Sequence, residues 1–106
     1  MIIIGDFGKL SHNGKGSLYN TLKLAVFLDR SLLSGLAKKQ MLAIKHELDL
    51  TDDQISFYHT DSDLQKIMEW RVLACPAVLR MDLHPPRWLI GELRNKDVLL
   101  AFLNAD

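Results

Sequence analysis

Three prolines and the single cysteine of the chain fall within "LACPAVLRMDLHPPRWLIGEL", Leu73 to Leu93. Cys75 directly precedes Pro76, and Pro85 and Pro86 adjoin. A thiol beside a strand-initial proline suggests redox chemistry. That chemistry needs a thiolate, and a helix N-terminus or a neighbouring cation supplies the field that lowers a thiol pKa. The segment that could offer such a terminus is "DRSLLSGL", where Ser31 and Ser34 stand three apart and no sulfur is present. One cysteine makes no C-x-x-C pair, no internal disulfide and no cysteine-rich zinc site. Cys75 is therefore expected to be a buried small residue. A second candidate is "GKLSHNGKGS", a glycine-rich loop with lysine after the apolar "MIII". It departs from a phosphate loop: five residues separate Gly8 from Gly14, and Gly16 stands where Ser or Thr would meet magnesium. His12, His46, His59 and His84 show no metal-ligand spacing. Asp61 and Asp63 read as turn and cap residues rather than an acid–base pair. No G-x-S-x-G elbow occurs. No catalytic residue, metal or cofactor is expected.

The elements that would position these residues follow from apolar spacing. Ile2 to Ile4 reads as a short strand, and residues 5–20 as a loop or tail. Thr21 to Leu28 ends as a buried strand. From Asp29 to Leu50 the residues Leu33, Leu36, Ala37, Met41, Ile44 and Leu48 recur at helical spacing, with Ser31 or Ser34 as cap. Ile55 to Thr60 is β-branched and aromatic, hence a strand. Asp61 to Trp70 is a short helix with Leu64, Ile67 and Met68 inward and Ser62 with Gln65 as a capping box. Val72 to Met81 and Arg87 to Leu93 are strands joined by "DLHPP". The last helix starts at the cap Asn95 and turns Val98, Leu99, Phe102 and Leu103 inward. The order from Thr21, β-α-β-α-β-β-α, predicts an α/β domain over residues 21–106 with a mixed sheet: a right-handed crossover between parallel strands, then an antiparallel pair. That is the thioredoxin-like arrangement, which often starts its third strand with a proline after a cis bond. Pro76 stands at that point, and both the cis and the ordinary trans form are open there. Residues 1–20 are read as an N-terminal extension.

Bulk properties narrow the function. The chain has 106 residues, a formal net charge of zero and a hydrophobic fraction of 48%. Zero net charge argues against nucleic acid, whose phosphates demand excess Lys and Arg on one face. No apolar run approaches the ~20 residues that span a bilayer. "MIII" is short for a signal-peptide core, so a cytoplasmic location without membrane contact is expected.

The C-terminal half, "VLACPAVLRMDLHPPRWLIGELRNKDVLLAFL", resembles the KaiB family of small clock proteins. Members carry a segment of the form I-L-A-T-P-T-L, a proline-rich bend, then R-R-I-I-G-D-L-S-N and a helix. Leu73, Ala74 and Pro76 match the first part, Pro85 and Arg87 the bend, and Ile90, Gly91, Leu93 and Asn95 the last; Glu92 replaces the acidic residue. "LKL" from Leu22 to Leu24 and Lys38 also match. The departures are Phe27, Leu28 and Asp29 where the family has A-G-N, a thinned proline run, and a longer leading segment. The resemblance implies a non-enzymatic protein that binds a KaiC-type ATPase ring, with KaiA or a sensor kinase as further partners, in circadian or stress signalling. It implies a homo-oligomer, dimer or tetramer, and a second ground-state fold with the C-terminal half rearranged. It places binding or switching at Lys23, Lys38, Pro76, Pro85, Pro86, Arg87, Gly91, Glu92 and Asn95. Prolines at a strand start and in its hairpin resist one regular ladder, which suits such a switch. Two alternatives are a thioredoxin-like thiol protein using Cys75 and a KaiB-like sensory domain of a histidine kinase.

Overall fold

The computed structural model describes residues 19–91 and 93–105. The Ile2–Ile4 strand, the glycine-rich loop, His12, almost all of the expected extension, and Glu92 lie outside them.

Strand β1 (Leu24–Leu28) leads into helix α1 (Leu32–Glu47), strand β2 (Ile55–His59) and helix α2 (Leu64–Glu69). Strands β3 (Ala77–Arg80) and β4 (Arg87–Ile90) and helix α3 (Lys96–Asn104) follow. The sheet order is β2-β1-β3-β4. β1 pairs with β2 in parallel, with Leu24 opposite Ile55, and with β3 antiparallel, with Val26 opposite Val78. β3 and β4 form the antiparallel pair, Leu79 opposite Trp88.

All five residues of β1 are buried, because this inner strand is covered on both faces and needs no polar alternation. Leu24, Val26 and Leu28 face a core built with Ala37, Met41 and Ile44 of α1 and Leu99, Phe102 and Leu103 of α3. Ala25 and Phe27 face the opposite way, against Ile67, Trp70, Val72 and Trp88. That second layer is thin and aromatic: Phe27 stacks on Tyr58 with ring centroids 5.4 Å apart and tilts against Trp88 at 5.6 Å. Tyr19 packs against the first core, its hydroxyl donating to Asn104 Oδ1 at 3.0 Å.

The helix ends follow local hydrogen bonding. Ser31 caps α1, its hydroxyl accepting from Ser34 N at 3.1 Å, and Asn95 caps α3 by accepting from Val98 N at 3.2 Å. α1 stops where Asp49 takes φ 57° and Leu50 N donates to Lys45 O; α2 stops where Arg71 takes φ 53° and Val72 N donates to Ile67 O. Both are left-handed C-terminal caps made without glycine.

Several sequence expectations are corrected. The box of Ser62 and Gln65 does not form. Asp63 occupies the cap position, and its carboxylate turns back to accept from His59 N at 2.9 Å and Ser62 Oγ at 3.2 Å. On α2 only Ile67 packs inward, whereas Leu64 and Met68 are exposed, since six residues make a single contact stripe. Leu33 and Val98 also face outward; Ser34 takes the buried place that Leu33 was expected to fill. Thr21–Lys23 and Val72–Pro76 are not strand. Leu22 N closes a turn on Tyr19 O, and Pro76, which has no amide to donate, precedes β3 rather than joining it.

Candidate functional site

The parallel pairing of β1 with β2 and the antiparallel pairing of β3 place four connections at one end of the sheet. These are the turn after β1, the turn after β2, the approach to β3, and the exit from β4. This is the end where a thioredoxin-like fold would hold a redox centre.

The turn after β1 is organised by oxygen. The Asp29 carboxylate accepts from Ser31 N at 2.9 Å and from Ser34 Oγ at 2.8 Å, while Ser34 Oγ accepts from Asp29 N at 3.0 Å. The Ser31 hydroxyl and amide, then the Ser34 hydroxyl, hold the Asp29 carboxyl below its ordinary value of 3.8, against a smaller opposing effect of burial. Arg30 Nε reaches Asp61 at 2.5 Å and joins this turn to the one after β2. Both side chains are substantially exposed, so the pair contributes little stability.

Across this turn lies Cys75, half-buried, followed by Pro76 through a cis peptide bond. Burial first, and the Asp29 charge second, push the Cys75 thiol above its ordinary value. A reactive cysteine requires the opposite field. Gly91 closes the same end: its N–H donates to Pro76 O at 2.9 Å, and it adopts φ +92°. Leu32, which opens α1, and Leu73, two residues before Cys75, are 79% and 89% exposed.

The nine residues singled out from the sequence do not form one cluster. Pro76 and Gly91 meet at this end. Lys23, Pro85, Pro86 and Arg87 lie at the opposite end, where Leu24 pairs with Arg80 and Arg80 with Arg87, and where His84–Pro85 is also cis. Lys38 is on α1, and Asn95 caps α3.

Arg80 was missed by the sequence reading. It is 5% exposed and faces α3. Its guanidinium donates to Phe102 O at 3.1 Å and to Ala105 O, the carbonyls that end the helix, and pairs with Asp82 Oδ2 at 2.5 Å. Lys23 N donates to the other oxygen of Asp82 at 3.3 Å. A cation at a helix C-terminus meets the negative end of its dipole, so Arg80 ties β3 to α3 and, through Asp82, to the entry of β1. Among the described residues no group of three or more His, Cys, Asp or Glu could hold a metal, and no helix is long and apolar enough to cross a membrane.

The mixed four-stranded sheet with its three helices defines a thioredoxin-like α/β fold. The chain is similar to the solution structure of the N-terminal domain of SasA from Synechococcus elongatus, with a TM-score of 0.55 and 23% identity over 77% of this chain and 78% of that one. No family model matches the chain, and no curated protein matches it by sequence.

Proposed function

We propose that the chain is a KaiB-like binding protein without catalytic chemistry, and that a KaiC-type ATPase ring is its partner. The observation that carries this reading is the turn after β1, where Asp29, Ser31 and Ser34 satisfy one another, with Leu32 exposed beside them at the start of α1 and Leu73 exposed two residues before Cys75. Ser34, whose hydroxyl donates to the Asp29 carboxylate, is only 1% exposed and so closed to a substrate, and the lone thiol opposite is shifted away from thiolate. Exposed leucines at such a site suit a protein surface. The KaiB-like fold and the matched residues Pro76, Gly91 and Asn95 support a partner of the KaiC type, with KaiA or a sensor kinase reached through it. A cytoplasmic location and a homo-oligomeric resting state belong to the same proposal.

A second reading, a KaiB-like sensory domain of a histidine kinase, is favoured by one observation: the similar structure is itself one domain of a larger protein. The deciding experiment is retention of the protein on an immobilised KaiC ring, with and without ATP. Nucleotide-dependent retention supports the first reading. No retention in either state overturns it.

A further inference from the structure

α1 carries Lys38, Lys39 and Lys45 against a single acidic residue, Glu47, in a chain whose net charge is zero. Its ion pairs, Lys45 with Asp52 and Glu47 with Lys96, lie at its C-terminal end. Nearer its middle an open groove of about 300 Å³ is lined by Leu36, Lys39, Gln40 and Arg94. The amide of Gln40 donates to Arg94 O at 3.3 Å, which fastens the connection between β4 and α3 to the helix and sets Arg94 across from Lys39. Among the described residues neither Lys39 nor Arg94 makes an ion pair, and no carboxylate lines the groove. Leu33, 47% exposed, lies one turn before Leu36 on the same helix and offers an apolar surface outside the groove's lining.

We infer that this groove is a docking site for an acidic segment of a partner protein, an Asp or Glu side chain seated between Lys39 and Arg94 and an aliphatic neighbour on Leu33 and Leu36. Charge complementarity selects the occupant. Two cations facing one space repel each other and are relieved by an anion between them, and the planar guanidinium of Arg94 suits a carboxylate through paired donors. The leucines add contact area that a free inorganic anion cannot use. The site is exposed, so its affinity is modest and falls with salt. The groove's preference for carboxylates stands apart from the identity of the partner; only the assignment of that segment to a KaiC-type ring rests on the function proposed above.

The test has two arms. In the first, the labelled protein is titrated with a short peptide containing alternating Leu, Glu and Asp, with its Gln/Asn counterpart, and with inorganic phosphate, while backbone amide shifts are followed. Shifts centred on Leu36, Lys39, Gln40 and Arg94 are expected with the acidic peptide alone. Lys39→Glu with Arg94→Glu should weaken that peptide about tenfold, whereas Lys66→Glu, on the helix that covers the opposite face of the sheet, should not. Equal shifts with the neutral peptide or with phosphate, shifts centred elsewhere, or none at all would overturn the inference. In the second arm the same variants are applied to an immobilised KaiC ring. A wild type that binds the acidic peptide but not the ring defeats the proposed partner and leaves the groove intact. A wild type that binds the ring undiminished by the double reversal defeats the groove as the docking site.

Discussion

At Gly91 the backbone holds φ +92°, and a methyl group placed there would meet nothing within 4 Å. Any cost of Gly91→Ala is thus conformational rather than steric crowding: about 1–2 kcal/mol, which lowers Tm on the order of 10 °C in a domain this small. A melting curve identical to wild type would show that the turn relaxes. The strand read from Arg87 to Leu93 stops instead at Ile90, because Gly91 takes a positive φ that breaks the ladder, and no close backbone approach accounts for the glycine. Cys75 yields a second prediction. Its pKa is raised, so less thiolate is present near neutral pH than in a free thiol, and iodoacetamide should label it more slowly than a cysteine peptide. Asp29→Asn removes the second cause of the shift and should quicken labelling a few-fold. Labelling as fast as the peptide would contradict the burial. Asp29 itself is shifted down, so its contribution to stability is present above the ordinary 3.8 and is lost as pH falls through its lower folded value. Acid unfolding of Asp29→Asn should accordingly show a shallower pH dependence in that range.

Between β3 and α3 the Arg80 clamp decides more than any cap. Arg80 and Asp82 side chains are 7% and 9% exposed, so removing one leaves the other charged and dry. Arg80→Met also strips the donors from Phe102 O and Ala105 O. The expected loss is about 3–5 kcal/mol by urea denaturation, with Arg80→Met/Asp82→Leu less damaging than the single change because both charges leave together. A loss under about 1 kcal/mol for Arg80→Met would show that water replaces the clamp. None of this was legible in "AVLRM". An arginine ending an apolar strand reads as a solvent-facing residue, and the carbonyls it serves are 22 and 25 positions away. The left-handed ends of α1 and α2 were hidden for a related reason, since Asp49 and Arg71 stand where glycine would announce the stop. By contrast, the order of the seven elements and the caps Ser31 and Asn95 could be read directly, because they depend on neighbours three or four residues away.

For the molecule as a whole, the sheet and its core embody the thioredoxin-like arrangement, with the C-terminal half docked through Leu89, Leu93, Leu99, Phe102 and Leu103. A KaiB-like switch requires that docking to be undone, and the Arg80 clamp with it. A partner that binds only the docked form sees an affinity reduced by the docked fraction; at ~1% docked the penalty is about 2.7 kcal/mol, a hundredfold. Arg80→Lys tests this without emptying the site. Lysine keeps the charge but lacks the planar fork, so it cannot serve Asp82 and the two helix carbonyls together. In a switching protein, each 1.4 kcal/mol withdrawn from the docked form lowers apparent affinity for a KaiC ring about tenfold and slows association, while the signal at saturation stays constant. The free protein should move toward larger species in size-exclusion chromatography as the undocked form gains population. A variant that is measurably less stable, yet associates at the wild-type rate and elutes at the wild-type volume, would establish a single fold with no second basin for the partner to draw against.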